Sequence, residues 1–205
     1  MSWPRAALAM LVAGLPAAAS AQTDQTRLYD AYIASKPYMD WVSDRLNEME
    51  SPVLLAQCPK IKVTGRENSF VNQDARFAPG AAAPQSGQWV DRLSIDRCGK
   101  SATRNIQVTA RGNDKLYGAA MIPGRTATSP LLQHDAYQVA AAKARIHAGC
   151  HDELYVVDSA VAGRFIPGAP WKEDWTFLGC DKATVMALTF TPNGRGGSTV
   201  EAQVK

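Results

Sequence analysis

The 205-residue chain carries 22 Lys and Arg against 19 Asp and Glu, a net charge of +3, with 46% apolar residues and four cysteines. That near-neutral balance gives no support for nucleic-acid or polybasic membrane binding, which needs clustered basic charge. The length suits one or two domains with a proper core.

Arg5, the apolar run Ala6 to Leu15 and the small residues Ala19-Ser20-Ala21 read together as a secretory signal peptide over residues 1–21, cut before Gln22. The run is shorter than the roughly 20 residues a spanning helix requires, and no later stretch approaches that length. No cysteine follows the cleavage site, so no lipid anchor is expected. The product is expected in the periplasm or outside the cell, without membrane insertion.

Residues 24 to 50 have helical periodicity, with Leu28, Tyr29, Tyr32 and Ile33, then Tyr38, Trp41, Val42, Leu46 and Met49. Pro37 interrupts the pattern and Ser35 can cap a new start, which predicts two helical pieces or a kink. Ser51-Pro52 predicts a further short turn reaching Cys58. Strands follow at 61–65, 89–98, 104–111 and 115–122. Between the first two lies a long connection from Arg66 to Gln88, with Ser69-Phe70-Val71 as a short strand within it. Ser129-Pro130 opens a helix ending at Gly149, with an apolar stripe of Leu132, Ala136, Val139, Ala140 and Ile146 interrupted by Lys143. Further strands are predicted at 153–160, 171–180, 184–191 and 198–204, the last pair joined by the glycine-rich turn 193–197.

Much of this is written twice. Trp89, Asp91, Leu93, Ile95, Cys98, Lys100, Thr109 and Gly112 map onto Trp171, Glu173, Trp175, Phe177, Cys180, Lys182, Thr191 and Gly194 with a constant offset of 82 residues. Upstream of each set stands a matching turn, ARFAPG at 75–80 and GRFIPG at 163–168. A long fixed period marks an internal duplication. The expected fold is therefore α+β: a helix-on-antiparallel-sheet unit of one helix and about four strands, in tandem, with repeats at 22–124 and 125–205. In outline this resembles tandem helix-on-sheet proteins such as the secreted inhibitor of β-lactamase, or paired cystatin-like units, without a motif of either.

Four cysteines in an exported chain allow three pairings. The duplication favours one bond per copy, Cys58–Cys98 and Cys150–Cys180. No CxxC spacing is present, so no metal site is expected there.

Four groups of residues bear on function. Pro79-Gly80 and Pro167-Gly168 suit type II turns, with Phe77 and Phe165 tucked beneath and Arg76 and Arg164 at the sheet's end. Aromatic-plus-arginine loops are enriched at binding surfaces, which makes these four residues the candidate binding set. Asp91 and Glu173 fall at matching strand positions and offer a carboxylate pair for acid–base hydrolysis, although a rim charge paired with Arg76 or Arg164 is the plainer reading. The strand aromatics Trp89, Trp171, Trp175 and Phe177 read as core, with a stacking platform as the alternative. His134, His147 and His151 include two that flank Cys150, but the disulfide claims that sulfur and no fourth ligand is near.

No nucleophile elbow, S-x-x-K, H-E-x-x-H or phosphate-cradling glycine loop occurs. The sequence therefore leads to an exported, non-catalytic module that binds another envelope or secreted protein, such as an inhibitor or accessory subunit, with no cofactor or metal. A small-ligand carrier using a groove between the repeats, lined by Trp89 or Trp171, is the second expectation. A hydrolase using Asp91 and Glu173 is the third.

Overall fold

The computed structural model describes residues 17–113 and 115–205. Most of the expected leader thus lies outside the described residues. The first unit comprises α1 (Ala17–Ile33), α2 (Lys36–Glu48), α3 (Pro52–Gln57), β1 (Ile61–Arg76), β2 (Ser86–Arg97), β3 (Lys100–Arg111) and β4 (Leu116–Ala120). The second comprises α4 (Pro130–Ala148), β5 (Tyr155–Val161), β6 (Trp171–Gly179), β7 (Lys182–Pro192) and β8 (Ser198–Val204). Each set of four strands forms a separate antiparallel meander, in the order β1-β2-β3-β4 and β5-β6-β7-β8. The chain is an α+β tandem of helix-on-sheet units, each with one disulfide.

The helix starts follow from local chemistry. Ser35, Ser51 and Ser129 are N-caps whose side chains accept from Tyr38, Leu54 and Leu132 backbone N–H groups, with a proline in each first turn. Pro37 thereby ends one helix and begins the next. Gly149, at φ 62°, closes α4 in the left-handed conformation that a Cβ disfavours.

The two disulfides occupy the same place in each unit. Cys58 caps α3 and Cys150 follows the end of α4, while Cys98 and Cys180 each begin a two-residue hairpin turn. Both residues of each turn have positive φ (Cys98 49°, Gly99 82°; Cys180 48°, Asp181 57°), as a tight hairpin matched to strand twist requires. Each bond ties a helix end to the tip of the central hairpin.

Beneath the helices the cores differ. In the first unit Tyr29, Tyr38, Val42 and Leu46 pack on Trp89, Leu93, Ile95, Ile106 and Val108. In the second, Ala136, Ala140 and Ala144 face Trp175, Phe177, Met186, Leu188 and Phe190. This corrects the stripe expected on α4. Val139 is 37% and Ile146 84% exposed, whereas Gln133 and Ala141 are buried. Bulky sheet residues already fill the space, so the helix approaches through its smallest face. Lys143, also exposed, donates to the Ala202 carbonyl at 2.7 Å.

The connection expected from Arg66 to Gln88 is mostly strand. β1 runs for 16 residues along β2, with register shifts between Val63 and Gly65, Arg66 and Asn68, Val71 and Gln73, and Gln73 and Arg76. Each bulge breaks the two-residue alternation, which hid the strand from a periodicity reading.

Candidate functional site

The segment 121–129 between the units is held from both sides. From the first unit, Asn105 donates to the carbonyls of Ile122 (2.7 Å) and Gly124 (2.8 Å), and Arg92 Nη2 donates to that of Thr126 (2.6 Å). From the second, Gln133 accepts from Ile122 N–H and donates to the Thr128 carbonyl, Ser159 donates to the Pro123 carbonyl, and Glu173 accepts from Ala127 N–H at 2.9 Å. Arg125 N–H donates to the Ser159 carbonyl at 2.7 Å, forming an isolated parallel bridge to Ala160. Gly124 sits at φ 87°, where a Cβ would come within 2.2 Å of the Ser159 carbonyl oxygen. The segment is a fixed joint and no tether.

Beside this joint lies a groove of about 600 Å³. Phe70 and Val90 line it from the first sheet, Val161 from the end of β5 and Phe165 from the β5–β6 loop, with the linker and the start of α4 completing it. Arg92 and Arg125 are its two charged residues, both cationic. Arg125 reaches Glu67 at 3.1 Å and is well exposed. Arg92 is half-buried, donates through Nε to Asn105 at 3.1 Å, and lies 5.2 Å from the Phe70 ring centre. Burial pulls its pKa down and the Arg125 charge adds to this, while the more distant carboxylates of Glu67 and Glu173 oppose it.

The expected binding loops are present but unequal. The turns form as predicted, with Ala81 N–H to the Ala78 carbonyl at 3.0 Å, Ala169 N–H to that of Ile166 at 3.2 Å, and Gly80 and Gly168 at φ 75° and 80°. Phe77 is buried, edge-on to Tyr32, and Gln25 Oε1 accepts from its backbone N–H at 2.8 Å. Phe165 is exposed and edge-on to Trp171 at 5.4 Å, at the mouth of the groove. Arg76 is exposed and 3.5 Å from Asp74; Arg164 is exposed. The first loop is thus packed against its own helices, and only the second presents its aromatic ring.

Asp91 and Glu173 are both wholly buried, so the rim placement is corrected. Asp91 accepts from the Tyr38 hydroxyl at 2.5 Å and from Ser69, with Arg66 Nε at 3.5 Å. Burial, then the Asp91 charge, holds the Tyr38 phenol far above its usual range; burial likewise pushes Tyr29 up to about 12. Glu173 accepts from the Trp171 indole at 3.0 Å and the Trp175 indole at 2.8 Å, besides Ala127 N–H. Neither carboxylate lines the groove.

Trp89, Trp175 and Phe177 are core, and Trp171 stacks on Phe190 at 4.8 Å. The three histidines are exposed. Among the described residues one grouping, Cys150, Asp152 and Cys180, has ligand atoms close together, but its two sulfurs are bonded to each other. Phe70, Arg92 and Arg125 were not singled out from sequence. The available signal was Val90 beside Arg92, an apolar residue on the side of β2 that alternation assigns to solvent.

Comparison with protein-family models, with curated proteins and with solved structures finds no match to this chain.

Proposed function

We propose that this is an exported, non-catalytic protein that holds a small molecule in the groove between its two repeats. The observation that carries this reading is the groove itself. Its size falls within the roughly 300–1,000 Å³ usual for small-molecule sites, and the apolar side chains of Phe70, Val90, Val161 and Phe165 are joined in its lining by polar ones, Arg92 and Arg125 among them. A joint pinned from both sides keeps the walls in place, so little ordering opposes binding. Export rests on the leader pattern of residues 1–21 and on two disulfides, which persist in oxidising compartments. No described helix is long and apolar enough to cross a membrane.

A thermal-shift screen of metabolites against the oxidised protein tests the proposal. Ligands should raise the melting temperature and quench Trp171, which touches Phe165, while Val161→Trp should abolish both effects. A screen in which every hit survives Val161→Trp would reject the groove.

A second reading, capture of another envelope or secreted protein, is favoured by the exposed Phe165 and Ile166 beside Arg164. Replacing Arg164 and Phe165 with alanine should then abolish capture without lowering thermal stability, whereas Arg76→Ala should not. Hydrolysis by Asp91 and Glu173 gains no support from two carboxylates that are buried and already occupied by donors.

A further inference from the structure

Buried or half-buried arginines of the first unit are paired with acids in every case but one. Arg66 faces Asp91, and Arg97 and Arg104 share Glu50 at 2.9 and 3.0 Å. Arg92 differs. Its bonds run to the neutral Asn105 side chain and the Thr126 carbonyl, and among the described residues no carboxylate lies within 4.0 Å. Glu67 and Glu173 act on that charge only from a distance, and a partly desolvated charge without a carboxylate in contact is costly. Arg92 lines the groove, and among the described residues that line it there is no acid. The Glu67 carboxylate, outside that lining, pairs with Arg125 at 3.1 Å and accepts from the Ser94 and Thr103 hydroxyls. The N-terminus of α4, at Thr128, Ser129 and Pro130, also lines the groove and adds a field of the same sign.

We infer that the groove takes an amphiphile with a single anionic head, such as a medium-chain carboxylate, the head pairing with Arg92 and the tail lying between Phe70, Val90, Val161 and Phe165. The inference rests on the groove being the binding site. A carboxylate completes the ion pair that Arg92 lacks, with the planar fork geometry that guanidinium favours. The apolar walls take up the tail and add affinity without selecting the head.

Calorimetric titration with decanoate, decanol and decylamine, each below its micelle concentration, separates head from groove. Decanoate is expected to bind about tenfold more tightly than decanol, from one charge-assisted contact, and decylamine most weakly. Arg92→Met should bring the decanoate-to-decanol ratio to about one, and Arg92→Lys should keep it well above one. Equal binding of decanoate and decanol by the unaltered protein overturns the anionic assignment and leaves the groove standing. Binding of none of the three overturns this inference and leaves the groove to the metabolite screen, whereas binding that Val161→Trp does not reduce overturns the groove reading and this inference together. The comparison of heads on the unaltered protein is decisive even where Arg92→Met does not fold.

Discussion

The two copies share a backbone plan and differ in how they satisfy it. Trp89 and Trp171 occupy matched positions, and so do Asp91 and Glu173, each pair related by the 82-residue offset. In the first copy the indole donates to the Tyr38 hydroxyl at 2.8 Å, and that hydroxyl in turn donates to Asp91. In the second copy the longer glutamate meets the Trp171 indole directly and also holds the linker through Ala127 N–H. One methylene thus replaces a relay by a tyrosine, and the freed geometry serves the joint. The helices differ in the same sense: an aromatic face covers the first sheet, an alanine face the second. Duplication preserved the bonds that close the fold and left the side chains to specialise.

The largest test of that comparison is removal of each disulfide. Cys58→Ser with Cys98→Ser, or Cys150→Ser with Cys180→Ser, should each cost about 3.5–4 kcal/mol by the chain-entropy estimate for such loops. Their separations of 40 and 30 residues differ too little to split the two by more than a few tenths of a kcal/mol. Urea unfolding of both pairs measures this, and a gap of several kcal/mol would break the equivalence of the copies.

Next come the carboxylates. Asp91→Ala and Glu173→Ala each leave buried donors unpaired and should cost about 2–3 kcal/mol. Only Glu173→Ala should also speed hydrogen exchange at the Ala127 amide, because only Glu173 holds the linker. Equal exchange in the two variants would remove its assigned role at the joint.

A smaller effect is expected at the matched turns. Gly80→Ala and Gly168→Ala place a Cβ at positive φ with open space around it, so each should lose about 1 kcal/mol from backbone strain alone. Unequal losses in thermal melts would show that the two turns are no longer equivalent.

Smallest of all is Ile146→Lys. At 84% exposure it should change stability by no more than about 0.5 kcal/mol. A loss of 2 kcal/mol in the same unfolding assay would restore Ile146 to the buried face.

Sequence alone determined the repeated plan, because its signals are local or strictly periodic. Serine–proline starts, the Pro-Gly turns and the alternation of Trp89, Asp91, Leu93 and Ile95 depend on residues close in the chain; for the disulfides, Cys98 and Cys180 share the 82-residue offset, and Cys58 and Cys150 each stand upstream of one copy. Tertiary packing decided the rest. The buried face of α4 depended on how much space Trp175, Phe177 and Phe190 left above the sheet. The reach of β1 was hidden by bulges that only its partner strand defines. Arg92 became a candidate binding residue because Asn105, Thr126 and Phe70, distant from it in sequence, meet around it and bring no acid. Periodicity reports which face of an element a residue occupies, but what that face meets is set by the docking of whole units, and there the groove arises.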